Sequence, residues 1–94
     1  MKIYIVSGRI DTDVLYPRVF KTKEEAEREV KDIIYEAARQ FYEYDEADAE
    51  ENLSWETLEE WADNNGYEFE YYEDRGVFYE GSEYTEAVFT EHNI

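Results

Sequence analysis

Charge is distributed so unevenly along this 94-residue chain that it dictates which surfaces can be buried. Residues 1–40 carry eight acids and eight bases and are neutral as a set, whereas residues 41–94 carry eighteen acids and one base, Arg75, and account for the whole formal charge of −17. An unpaired buried carboxylate costs more than any one apolar contact returns. Every element of the second half must therefore turn its acids to water and pack through the residues between them. Those residues are rich in rings: 43% of the chain is hydrophobic, with ten Tyr, five Phe and two Trp, too many for a disordered acidic tail. A chain of this length predicts one domain, 1–94, with a modest core, built from a neutral half, 1–40, and a strongly acidic half, 41–94.

The apolar spacing predicts the elements. Ile3–Val6 is a buried strand ended by Ser7-Gly8, and Val14–Phe20 a second strand in which Pro17, lacking a donor, marks an edge or bulge. Thr22 and Glu25 form a capping box, and Ala26, Val30, Ile33, Ile34, Ala37 and Phe41 follow as one helical stripe. Glu24 with Arg28 and Glu27 with Lys31 are i, i+4 pairs that neutralise its outer face. The run 43–52 lacks apolar period and predicts a frayed helix end or an exposed connection. Ser54 caps a second helix with Trp55, Leu58, Trp61 and Ala62 inside and Glu56, Glu59, Glu60 and Asp63 outside, stopped by a left-handed Gly66. Tyr67, Phe69 and Tyr71 then alternate with Glu68 and Glu70, and turns at Glu73–Gly76 and Gly81–Glu83 lead into strands 77–80 and 84–90. The fold class expected is α+β, a small antiparallel sheet with two helices in the order ββααβββ.

Several classes of function are disfavoured. Without cysteine there is no disulfide framework and no thiolate zinc site. Neither the Asp45 run nor Asp63–Gly66 fits a calcium-binding EF-hand loop, so no metal and no cofactor are expected. His92 is the one histidine, near the C-terminus, and no nucleophile elbow, phosphate-binding loop or dinucleotide glycine pattern occurs, so an enzyme is not expected. No apolar run approaches a signal core or a membrane span, and the expected location is cytoplasmic.

The acidic surface remains. On a strand, Glu68 and Glu70 stand roughly 6.6 to 6.8 Å apart, and on a helix Glu56 with Glu60 and Glu59 with Asp63 stack about one turn apart. Each such pair repels by about 0.6 kcal/mol in water. Solubility needs only a net charge of about 2 to 8 in a small domain and would deplete bases throughout, which the balanced first forty residues contradict. Tyr42 and Tyr44, flanking Glu43, and Tyr72, in phase with Glu68 and Glu70, are candidate amphipathic anchors. The candidate partner-binding set is Tyr42, Glu43, Tyr44, Asp45, Glu46, Asp48, Glu50, Glu51, Glu56, Glu59, Glu60, Asp63, Glu68, Glu70 and Tyr72. Its expected partner is a basic nucleic-acid-binding protein, with no direct nucleic-acid binding and no membrane. Seventeen charges match about 30 Å of duplex DNA at one phosphate per roughly 1.7 Å.

In small size, one-sided acidity and tyrosine content, the chain resembles the DNA-mimic inhibitors of bacteriophages and mobile elements, the antirestriction and anti-CRISPR proteins. The run 43–51, the helix face Glu56–Asp63 and the Glu68/Glu70 strand carry the likeness, and Ile3–Val6 and Glu59-Glu60-Trp61-Ala62 look like short stretches of ArdA-type antirestriction proteins. The resemblance implies occlusion, inside a bacterial cell, of the site where a CRISPR effector or restriction enzyme grips DNA, without chemistry of the inhibitor's own. The alternative is an acidic interaction module, antitoxin-like or regulatory, that neutralises a basic partner. Duplex DNA should displace the first competitively and need not displace the second.

Overall fold

Alternation of apolar and acidic residues yields a sheet covered by helices on one side. The computed structural model describes residues 1–10, 13–42, 54–80 and 83–94. Among them the order is β1 (Lys2–Ile10), β2 (Asp13–Val14), β3 (Arg18–Phe20), α1 (Lys23–Phe41), α2 (Trp55–Asn65), β4 (Glu68–Tyr72), β5 (Arg75–Glu80) and β6 (Glu83–Asn93). Every pairing is antiparallel, and the sheet runs β2-β1-β6-β5-β4 with β3 also paired to β1. The α+β class is as expected. The predicted second strand is two short ones, β2 and β3, with Pro17 in the gap between them, where its missing N–H interrupts no ladder.

Ser7-Gly8 does not end β1, which continues to Ile10 against β6. Gly8 lies opposite Ala87, and a β-carbon there would press on the Glu86 carbonyl oxygen and stand 3.1 Å from the Ala87 Cα. This glycine serves close strand approach rather than a turn.

Thr22 caps helix α1 as expected, Glu25 N–H donating to Thr22 Oγ1 at 3.2 Å, while the Glu25 carboxylate takes the Thr22 hydroxyl, which donates to Oε1 at 2.9 Å, in place of the main-chain N–H that a full capping box would use. Ala26, Val30, Ile34 and Ala37 are buried, and so are Tyr35 and Ala38, which the stripe omitted. Tyr35 is fully buried because its hydroxyl has partners: it donates to the Ser54 carbonyl at 2.6 Å and accepts from Ser54 N–H at 3.3 Å, tying the start of α2 to α1. Of the predicted surface pairs, Glu27 takes Lys23 (3.8 Å) rather than Lys31, whose ammonium lies 5.9 Å from the Trp55 ring centre. Glu24 with Arg28 is not among the ion pairs of the described residues, and Arg18 instead joins β3 to α1 through Glu29 at 3.1 Å.

At α2, Ser54 is the N-cap, but its hydroxyl donates to Glu56 Oε2 (2.7 Å) instead of accepting a helix N–H. Trp55, Leu58 and Ala62 are buried, whereas Trp61 is half-buried and stacks on Tyr67 with ring centres 5.4 Å apart. Gly66 ends the helix at φ 79°, ψ 21°, and Tyr67 N–H returns to the Ala62 carbonyl at 2.9 Å. The core between helices and sheet is a run of rings: Trp55 on Phe69 (5.8 Å), Phe69 on Phe78 (4.7 Å), Phe78 on Tyr42 (4.7 Å) and Tyr42 on Tyr67 (5.0 Å). Helix α1 packs on β1, β6 and β5, and α2 on β4, leaving the other face of the sheet without a helix among the described residues.

Candidate interaction surface

The strand order carries the charge asymmetry of the sequence into space. The N-terminal strands gather at one edge, and β4, β5 and α2 form the other, acidic end. The boundary is softened where bases of the first half reach acids of the second: Lys23 pairs with Glu73, and Lys2 with Glu91 at 3.5 Å. Arg75, the one base beyond residue 40, is engaged by its own neighbour, with Nε 3.2 Å from Asp74 Oδ1 and Nη2 3.1 Å from Oδ2. That leaves Glu56, Glu60, Asp63, Glu68 and Glu70 exposed and outside every ion pair among the described residues. Glu59 is half-buried.

These carboxylates form two rows, not one. Glu56, Glu60 and Asp63 lie on the wet side of α2, whose inner side meets β4 through Trp55 against Phe69 and Tyr71. Glu68 and Glu70 alternate with those two rings and stand on the opposite face of the sheet from α2. Tyr72 shares that face, 57% exposed, its hydroxyl 3.5 Å from Glu70 Oε2. The sequence reading missed Tyr79, which stands opposite Glu68 in the register and is 41% exposed. Partial burial, then the charges of Glu70 and its neighbours, push its phenol above the usual tyrosine range. Its signal was the phase of β5, in which Phe78 points in and Tyr79 out.

Tyr42 is corrected. It is 5% exposed and packed between Phe78 and Tyr67, so it belongs to the core and cannot anchor a partner. The ring closes the C-terminal turn of α1 onto the sheet. Glu43, Tyr44, Asp45, Glu46, Asp48, Glu50 and Glu51 lie outside the described residues. Among the described residues no group of three or more His, Cys, Asp or Glu is placed to hold a metal ion, and no helix is long and apolar enough to cross a membrane.

A cleft of about 320 Å³ between α1 and the β1–β2 end is lined by Ile10, Leu15, Glu29, Asp32, Ile33 and Glu36. Glu29 is held by Arg18, and Glu36 by Arg39 and Gln40. Burial pushes the Asp32 carboxyl above the usual range, against the pull of Arg28. Asp74 shifts the other way, held below that range by the Arg75 guanidinium, as Glu56 is by the Ser54 hydroxyl. The signs give a pH test. A lowered native pKa means that Asp74 contributes stability at pH values above the ordinary aspartate range and loses it as pH falls through its native value. For Asp32 the dependence reverses: its contribution is full at low pH and fades as pH rises through its elevated value. D74N is therefore expected to flatten the loss of stability below about pH 4, while D32N removes a gain there, both read from denaturant midpoints across pH. Parallel acid limbs in D74N and the parent would show that the Asp74–Arg75 fork does not persist in solution.

Compared with protein-family models, curated proteins and solved structures, the chain matches none.

Proposed function

We propose that the protein is an acidic, DNA-mimic-type inhibitor that occludes the positively charged nucleic-acid-binding cleft of a host defence protein, a CRISPR effector or a restriction enzyme, in the bacterial cytoplasm. The observation that carries this reading is the pair of unneutralised carboxylate rows on opposite faces of the α2–β4 end. A flat receptor patch would use one row. A cleft that wraps a duplex meets phosphates on both strands, and a thin acidic wedge with charge on both sides suits it better. The smallest extent of the molecule is 19 Å and the longest 42 Å, a length over which duplex DNA carries about 25 charges. Fixed carboxylates in this arrangement steer a basic cleft inward and compete with the nucleic acid for it.

The test is capture of binding proteins from a bacterial lysate at low and high salt, followed by elution with duplex DNA. Release of a DNA-binding effector by both salt and duplex supports mimicry; a partner indifferent to duplex refutes it in favour of an acidic module of the antitoxin-like or regulatory kind. The triple reversal Glu56→Lys, Glu60→Lys, Asp63→Lys touches no buried side chain of α2. It is expected to keep the far-ultraviolet spectrum and to weaken binding to the captured partner by at least about tenfold. Unchanged affinity would remove the helix row from the interface.

A further inference from the structure

The direction of the main-chain groups in β4 follows from one bond at the turn that follows it. The Asp74 carbonyl accepts from Phe89 N–H at 3.0 Å, so even-numbered residues of β5 turn their main-chain groups to β6 and odd-numbered ones to β4. With Glu68 opposite Tyr79, Glu70 opposite Val77 and Tyr72 opposite Arg75, it is Glu68, Glu70 and Tyr72 that bond to β5. The N–H and C=O groups of Phe69 and Tyr71 are directed away from the sheet, where no further strand meets them among the described residues.

The two sheet edges are guarded differently. The far edge is broken into strands of two and three residues with Pro17 between them, a blunted edge that offers little to pair with. The β4 edge is five residues without proline or lysine, and its guards are the exposed Glu68 and Glu70. Against a second copy of itself these glutamates would meet glutamates, which is unfavourable. Against a strand with cations at alternate positions they are complementary. We propose that β4 receives an extended, arginine- or lysine-bearing segment of the basic partner as an added strand, its alternate cations lying beside Glu68 and Glu70 on the open face of the sheet. The main chain supplies affinity and the glutamates supply selection. This rests on the reading that the acidic end meets a basic protein.

A peptide of about nine residues alternating arginine with threonine, titrated into the isotopically labelled protein at physiological salt, tests it. Binding should protect the Phe69 and Tyr71 amides from exchange. Of the two possible patterns of alternate N-methylation of the peptide, one should weaken binding by at least about tenfold and the other leave it nearly intact, because only one set of peptide N–H groups faces β4. The double variant Glu68→Lys, Glu70→Lys should weaken the unmodified peptide at least as much. Equal binding of both methylated peptides, or unchanged Phe69 and Tyr71 amides, would overturn the proposal, leaving charge attraction alone. So would concentration-dependent self-association that protects the same amides, which would make a second copy the occupant. The outcome is separable from duplex competition: a captured partner that DNA cannot displace ends the mimic reading and leaves the edge, whereas loss of the methylation effect ends the edge and leaves the mimic.

Discussion

Replacing Phe78 with alanine is expected to destabilise the protein by about 3–5 kcal/mol and to lower its melting temperature by about 15 °C or more. Phe78 is fully buried in β5, with Phe69 on one side and Tyr42 on the other, each at 4.7 Å between ring centres. Through those two rings it connects Trp55 on α2 to the C-terminal end of α1. Truncation removes the middle of that run and leaves a cavity that its aromatic neighbours, one fixed in β4 and one at the end of α1, cannot fill. Tyr79→Ala, one residue along and on the wet face, is the control and should cost under about 1 kcal/mol. Denaturant unfolding of the two variants checks the contrast. A Phe78→Ala loss below about 1.5 kcal/mol would mean that the rings do not form the shared core described here.

Gly8→Ala is expected to cost about 2–3 kcal/mol through overpacking. The added methyl group would meet the Glu86 carbonyl and the Ala87 Cα, both main-chain atoms of the neighbouring strand, so relief requires β1 and β6 to move apart along their shared ladder. Gly66→Ala is a different case, since nothing lies within 4 Å of the site and the penalty comes from φ alone; about 1 kcal/mol is expected there. Equal denaturant midpoints for Gly8→Ala and the parent would show that the β1–β6 spacing relaxes freely.

Much of the fold was legible because local chemistry and global packing agree. Thr22 with Glu25, Gly66 and the alternation across Glu68–Tyr71 each name their element from a few neighbouring residues. Positions governed by distant partners were misread. Gly8 looked like a strand end because its reason for being glycine is Ala87, far along the chain. Tyr35 went unnoticed because its burial depends on the Ser54 main chain. Tyr42 stood beside Glu43 and shared its polar context in sequence, yet the last turn of α1 points it at Phe78. For the candidate surface, the composition of each row was legible, and Glu56, Glu60, Asp63, Glu68, Glu70 and Tyr72 are all exposed. That α2 and the wet face of β4 look in opposite directions was not, since one row has helical phase, the other strand phase, and only the packing of Trp55 on Phe69 relates them.

The two strands that share the longest ladder, β1 and β6, are separated in sequence by every other element. Lys2 pairs with Asn93 and Ile10 with Thr85, so β1 and β6 can zip only once all the elements between them have been made. The acidic meander β4-β5-β6, by contrast, closes through short hairpins. Closing so long a loop is expected to be a slow step for so small a domain. Until β1 arrives, the side of β6 that it will occupy is a second unpaired edge, on a segment whose own charge discourages self-association. The net negative charge of residues 41–94 is therefore expected also to discourage self-association while that edge is unpaired.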